Sequence, residues 1–185
     1  YRYTGQKDII VGSVIANRNR VEIEGLIGFF VNTLVLRTDI SNNPTFEELL
    51  GRVREMMIDA YTNQDLPFEK IVEEMQPNRN TSYNPLFQVS FDFQNTSKAK
   101  FELPGMTITP LTVKRTRALF DLHLDIKETD FGLECFWEYN TDLFEVDRII
   151  RMSQHFRTLL EAIAACPQQQ VSELSLLTEL EKYQL

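Results

Sequence analysis

Few side chains in this sequence are able to begin covalent chemistry. His123, His155, Cys135 and Cys166 are all of its imidazoles and thiols. His123 falls on the polar face of a strand pattern and His155 inside a long helical one; their spacing matches no zinc-binding arrangement and no cysteine pair joins them. The chain contains no Gly-Xaa-Ser-Xaa-Gly elbow, no glycine-rich phosphate loop and no recognisable Ser-His-Asp order. Carboxylates are plentiful, 27 Asp and Glu against 19 Lys and Arg, but they spread over helical faces, where solvated charge is expected rather than paired acid–base work. The resulting charge of −8 excludes a general nucleic-acid binder, which needs a cationic surplus to neutralise phosphates. No metal site is expected.

The cysteines lie far apart, Cys135 on the apolar face of a strand and Cys166 just before Pro167, so two buried, structural thiols in a reducing compartment are expected. No run of about 18 apolar residues exists to span a membrane. The opening residues Tyr1 to Asp8 lack the charged head and apolar centre of a secretory signal. The sequence reads as a soluble, cytoplasmic chain of 185 residues in one domain.

The elements follow from periodicity. Ile9 to Ala16 is almost continuously apolar and predicts a strand covered on both faces, with neighbours on both sides; so buried an opening strand suggests that chain precedes it. Glu22 to Leu26 predicts a short helical turn, and Phe29 to Arg37 a second strand. Thr45 and Glu48 form a capping-box pattern ahead of the stripe Phe46, Leu49, Leu50, Val53, Met57 and Ala60, which predicts a helix over 45–61. Asp65 and Pro67 open a second helix with Phe68, Ile71, Val72 and Met75 on its buried stripe. Phe87, Val89, Phe91 and Phe93 alternate with polar residues and read as core strand. Leu122, Leu124 and Ile126 do the same, and a turn at 129–132 joins them to Leu133, Cys135, Trp137 and Tyr139 as a hairpin. A shorter strand is expected near 106–113, and Ile149 to Ile163 marks a long helix ended by Pro167. This order predicts an α+β fold, a mixed β-sheet with helices packed on one face.

Three blocks, in order, carry a resemblance. Ile27-Gly28-Phe29-Phe30-Val31-Asn32-Thr33 with Arg37 trailing resembles the fifth core motif of nonribosomal peptide synthetase condensation domains. Asn63-Gln64-Asp65-Leu66-Pro67-Phe68-Glu69 resembles the sixth. Arg79-Asn80-Thr81-Ser82-Tyr83-Asn84-Pro85-Leu86-Phe87-Gln88 is similar to the seventh, departing from it at Asn80 and Tyr83. Thr4-Gly5 to Asn17-Arg18 also resembles the segment before the fifth motif, and Leu174 to Thr178 the segment leading toward an adenylation domain. The likeness spans nearly the whole chain.

The resemblance implies one lobe of a chloramphenicol-acetyltransferase-like fold, with residues 1–185 as the C-terminal lobe. Its function would be amide-bond formation between carrier-protein-bound aminoacyl and peptidyl thioesters, in a tunnel shared with an N-terminal lobe. That N-terminal lobe carries the family's His-His-Xaa-Xaa-Xaa-Asp-Gly motif, which these residues lack. No catalytic residue is then expected here, and the isolated chain should be inactive. Phosphopantetheine would arrive on carrier proteins rather than bind as a resident cofactor. The implied partners are the N-terminal lobe, peptidyl carrier proteins and an adjacent adenylation domain.

Carried over residue by residue, Arg18 resembles the arginine that pairs with the motif's aspartate across the lobes, against the plainer reading of a surface arginine in a turn. Asn84 resembles a polar residue at the tunnel, where an amide bonds the amine or the pantetheine chain, against a loop-capping asparagine. Asn32 has the same two readings as a substrate-binding residue. Gly28, Pro67, Phe68, Pro85 and Leu86 read as structural members of the motifs. Lys98, Lys100, Lys114, Arg115 and Arg117 are contacts for acidic carriers or the partner lobe, or else solvated charge. Residues 95–118 resemble the family's crossover between lobes. Two further readings stand beside the first: a catalytically silent module that binds carrier or accessory proteins, and an epimerisation- or cyclisation-type relative.

Overall fold

A computed structural model describes residues 1–76, 83–94, 105–106, 109, 111 and 117–184. Most of the expected strand near 106–113 and of the expected crossover, the first four residues of the third block, and Lys98, Lys100, Lys114 and Arg115 lie outside the described residues.

The elements run β1 (Asp8–Ile15), α1 (Val21–Glu24), β2 (Asn32–Asp39), α2 (Phe46–Thr62), α3 (Phe68–Met75), β3 (Val89–Gln94), β4 (Leu122–Thr129), β5 (Gly132–Tyr139), α4 (Val146–Ala165) and α5 (Glu179–Gln184). The strands form one mixed sheet in the order β2-β1-β3-β4-β5. β1 pairs antiparallel with β2 along its whole length, and β3 pairs parallel with β4. β4 and β5 make the expected hairpin, closed between Thr129 and Gly132, the latter at φ 129, where a side chain would be strained. Between β1 and β3 the parallel ladder is a single pair, Gly12 with Ser90.

Register decides which side chains share a face, because successive residues of a strand point to opposite sides. Ile15, Leu34 and Leu36 form a buried cluster on which Met56, Met57 and Ala60 of α2 pack. In the same register, Leu122, Leu124 and Ile126 are buried, and Trp137 meets Phe156 of α4 edge-on at 6.0 Å between ring centroids. Both helices therefore lie on one face, as the α+β reading requires.

β1 has neighbours on both sides but not helices on both faces: Ile10 and Val14 are 38% and 41% exposed. Val89, Phe91 and Phe93 also remain exposed although they point toward the helical face, because β3 lies between the strands that α2 and α4 cover. The expected phenylalanine core on this strand reduces to Phe87, at 1% exposure. Both cysteines are exposed as well, a correction to their expected burial; α4 meets β5 at Trp137, two residues beyond Cys135.

The capping box forms as read: Thr45 Oγ1 accepts Glu48 N–H, and Glu48 Oε2 accepts Thr45 N–H. The next donors of α2, Phe46 and Glu47 N–H, bond to Gln169 and Pro167 carbonyls. The chain after α4 is thus fixed to the start of α2, with Val171 and Leu174 buried. No helix among the described residues is long and apolar enough to cross a membrane.

Candidate functional site

β2 begins at Asn32, not at Phe29 as expected, because its partner β1 ends at Ile15, which lies opposite Asn32. Two residues later Asn17 takes φ 51 and turns the chain aside, leaving Phe29 to Val31 without a ladder. That turn sends the Arg18 side chain back over α1. Arg18 Nη1 donates to the Ile23 carbonyl at 2.5 Å and the Glu24 carbonyl at 3.2 Å, Nη2 donates to the Gly28 carbonyl at 3.5 Å, and the guanidinium lies 4.3 Å from the centroid of the Phe30 ring. The Ile23 carbonyl also accepts Leu26 N–H at 3.2 Å, and a cationic fork is well suited to the carbonyl end of a helix. Arg18 is therefore more than a surface arginine: it pins the first block to the end of β1. Beside it, Asn17 Oδ1 is buried without a hydrogen-bond partner among the described residues.

The second block attaches to the first through Asn32. Its Nδ2 donates to the Gln64 and Leu66 carbonyls, both at 2.8 Å, while its Oδ1 accepts Phe68 N–H at 3.1 Å. Pro67, in the cap position of α3, has no side-chain hydrogen bond to offer, so an asparagine on a strand caps the helix from a distance. Asn19 adds a bond from Nδ2 to Asp65 Oδ1 at 3.1 Å.

The third block joins through aromatic contacts. Phe68 meets Phe87 edge-on at 5.9 Å, Phe87 meets Phe120 at 5.4 Å, and Phe120 meets His123 at 6.3 Å. Phe87 occupies the space above Gly12, where an added Cβ would fall 2.1 Å from the ring. Asn84 Oδ1 accepts the N–H groups of Leu86 and Phe87 at 3.2 and 3.4 Å, which makes it the loop-capping asparagine of one reading. It also lines a cavity of about 240 Å³ with Tyr83, Gln88, Phe120, Asp121 and Asn140, and its Nδ2 has no partner among the described residues, so one amide edge holds the loop while the other is free. A larger cavity of about 470 Å³ adjoins it, sharing Ala118 and Asn140 and lined further by Arg117, Glu138 and Asp142.

Asn32 and Asn84 thus belong to one chain of contacts, Asn32 to Phe68 to Phe87 to Asn84, and Arg18 sits at the strand end that carries Asn32. No hydrogen bond joins Arg18 to Asn84 among the described residues.

Sequence order gave no sign of one constellation. Ser90, Asp92 and His123 converge on the sheet because β3 and β4 are neighbours: His123 Nδ1 lies 3.2 Å from Ser90 Oγ, and His123 Nε2 lies 3.9 Å from Asp92 Oδ2. The residue types are those of a hydrolytic triad, but Ser90 is 0% exposed and offers no approach to a substrate. Asp92 Oδ1 instead accepts the Val14 N–H at 2.8 Å and the Ser13 hydroxyl at 3.2 Å, standing in for the ladder that β1 and β3 lack there. Alternation of polar residues on β3 and β4 was the available signal; the parallel pairing that unites them was not legible.

Likeness to known proteins agrees with this geometry. The family model described as condensation domain matches residues 1–185. One of the linear gramicidin synthase polypeptides of Brevibacillus parabrevis is 49% identical over 187 residues, covering 100% of this chain and 2% of that protein. Among solved structures, the X-domain from teicoplanin biosynthesis superposes with a TM-score of 0.84 at 29% identity, covering 95% of this chain and 41% of the other. A four-domain nonribosomal peptide synthetase bound to AMP and glycine shares the fold, with a TM-score of 0.88 at 22% identity over 98% of this chain and 15% of the other. The chain spans 2 to 5% of the length of the curated relatives it matches. With three motif blocks assembled around Phe87 and a family match along its full length, this chain belongs to the condensation domains of nonribosomal peptide synthetases.

Proposed function

We propose that residues 1–185 are the C-terminal lobe of a condensation domain and supply one wall of a tunnel in which an amide bond forms between carrier-bound substrates. In that reaction the acceptor's amine nitrogen attacks the donor's thioester carbon. A C–N bond forms, the C–S bond breaks, and the amine proton is lost as the carrier thiol is released. The histidine that positions or deprotonates the amine belongs to the other lobe, and this lobe alone is inactive. Phosphopantetheine enters as part of the substrates, borne by peptidyl carrier proteins, and an adenylation domain follows in the chain. A cytoplasmic setting goes with this reading.

One observation carries the proposal. Ile27 and Phe29, in the same block that Arg18 holds, are 104% and 91% exposed, and Val21 and Leu26 beside them are 80% and 53% exposed. A patch of large apolar side chains around a fixed guanidinium has the composition of an interface, and a preceding lobe carrying an aspartate is its occupant in this reading. Asn84, with an amide edge free at a cavity, is the residue proposed to hydrogen-bond the amine or the pantetheine amides. Asn32 acts one step back, holding α3 and Phe68 in place.

The test compares this chain with a protein extended upstream through the preceding lobe, each offered loaded donor and acceptor carriers. Product from the extended protein alone supports the reading; equal turnover by both rejects it. A second reading, a silent binding module, is favoured by the likeness to the teicoplanin X-domain, a protein also solved in complex with OxyB. Binding of carriers by the extended protein without turnover decides for it.

A further inference from the structure

His155 is buried in the middle of α4, 8% exposed, yet both of its ring nitrogens are bonded to residues far away along the chain. Nδ1 lies 2.5 Å from the Tyr3 hydroxyl, and Nε2 lies 2.9 and 3.0 Å from the two carboxylate oxygens of Glu181. A carboxylate only accepts, so the nitrogen facing it must donate; a phenol donates readily, so the nitrogen facing Tyr3 accepts. The neutral ring therefore carries its proton on Nε2.

Glu181 also opens the last helix. Its Oε2 accepts Thr178 N–H at 2.8 Å and Thr178 Oγ1–H at 2.7 Å, while Glu181 N–H returns to Thr178 Oγ1 at 3.4 Å, a capping box at the start of α5. Thr178 and His155 together hold the Glu181 carboxyl down to about 2. At the other end of the relay, Arg2 Nη1 donates to the carbonyls of Ser172 and Leu174 at 2.7 and 2.8 Å. The first residues of the chain and its last helix are thus gathered onto α4 at one point. The cations near the phenol are Arg148 and Arg151, on the preceding turns of α4.

We infer that His155 is a tautomer-set latch: the Tyr3 hydroxyl, by occupying Nδ1, fixes the proton on the nitrogen that faces Glu181, and so governs the docking of a helix to which it makes no hydrogen bond. Without that hydroxyl the neutral ring is free to place its proton on Nδ1, turning an Nε2 lone pair toward a carboxylate. The Glu181 carboxyl stays ionised to well below its usual range, so the acceptor facing Nε2 keeps its charge in mild acid. If residues 1–5 arrive from a preceding lobe and α5 leads toward a following domain, a consequence that rests on the function proposed above, a displacement at the first junction loosens the second. The latch itself stands or falls without that reading.

The experiment is nitrogen NMR of the His155 ring together with amide hydrogen exchange, on the whole chain and its Tyr3→Phe and Arg2→Ala variants. Tyr3 is 51% exposed, so loss of its hydroxyl spares the core. Expected in the parent chain is a protonated Nε2 and an unprotonated Nδ1. In Tyr3→Phe the two signals move toward each other, and amides of α5 exchange about three- to tenfold faster while those in the centre of α4 do not change. Arg2→Ala should speed exchange near Ser172 without altering the His155 signals. A proton on Nδ1 in the parent chain overturns the inference, as does faster α5 exchange in Tyr3→Phe with an unaltered ring, or no change at α5.

Discussion

Asn32 on β2 caps α3, its Oδ1 accepting the backbone N–H of Phe68 at 3.1 Å while its Nδ2 holds two carbonyls of the preceding turn. Loss of a helix cap costs about 0.5–2 kcal/mol. Asn32→Ala is therefore expected to lower Tm by about 1–8 °C for a chain of this size. Asn32→Asp keeps the cap oxygen but sets a carboxylate against the Gln64 and Leu66 carbonyls, so it should not restore stability; a calorimetric melt equal to the parent's for Asn32→Asp would mean that the carbonyl contacts contribute nothing.

Gly12 and Phe87 form a second pair. An alanine at 12 would place its Cβ 2.1 Å from a ring that is 1% exposed and cannot swing into solvent. Gly12→Ala should destabilise by about 1–3 kcal/mol or more. In a Phe87→Leu background the same change should cost at least about 1 kcal/mol less, since the two sites share one volume. Denaturant melts of the four proteins measure this coupling; strict additivity would show that the ring does not fill the notch.

Arg18 is bonded within its own lobe, so its replacement should be felt in two assays. Arg18→Ala is expected to lower the Tm of the chain by a few degrees through the loss of the carbonyl contacts at α1. In a protein extended through the preceding lobe, the condensation rate should fall roughly 10- to 100-fold, the equivalent of ~1.5–3 kcal/mol of charge-assisted bonding. Arg18→Lys retains the charge without the planar fork and should recover only part of the rate. An unchanged rate alongside a lowered Tm would confine Arg18 to its own lobe.

The Glu181 carboxyl is lowered to about 2, first by the Thr178 hydroxyl and N–H and then by His155. A depressed carboxyl stabilises the fold above its unfolded value of about 4.5, and that contribution fades as the pH falls toward about 2. The Tm difference between the parent chain and Glu181→Gln should then shrink steadily on acidification below about pH 4.5. A difference that grows in acid would reverse the assignment.

The exposed Val21, Leu26, Ile27 and Phe29 should drive the isolated chain to self-associate. Sedimentation velocity is expected to show a concentration-dependent shift that Phe29→Ser reduces; a strictly monomeric profile for the parent chain would contradict it.

Much of the architecture was legible because local rules and tertiary packing agree. The Thr45–Glu48 box, the span of α2 and the turn at 129–132 each appear where composition puts them, although Leu50 of the expected stripe is exposed. What escaped depended on which strands become neighbours. β2 starts at Asn32 rather than Phe29 because β1 runs out, and nothing local to Phe29 encodes that. Phe91 and Phe93 alternate like core residues yet stay exposed, since coverage depends on where helices from other parts of the chain come to rest. At the site, the motif blocks were recognised as blocks, but their meeting at Phe87, the remote capping by Asn32 and the convergence of Ser90, Asp92 and His123 are products of pairing between distant segments.

The lone pairing of Gly12 with Ser90 has a mechanical meaning. β1 and β2 are zipped from end to end, as are β4 and β5, so the sheet is two stiff leaves joined along a thin seam with Asp92 as its clasp. Arg18, Asn32 and α3 travel with the first leaf and Asn84 with the second, and Phe87 sits across the hinge line like a pin. Any flexing of this sheet gathers at that line, where it changes the separation of the motif residues without breaking a single rung of either leaf.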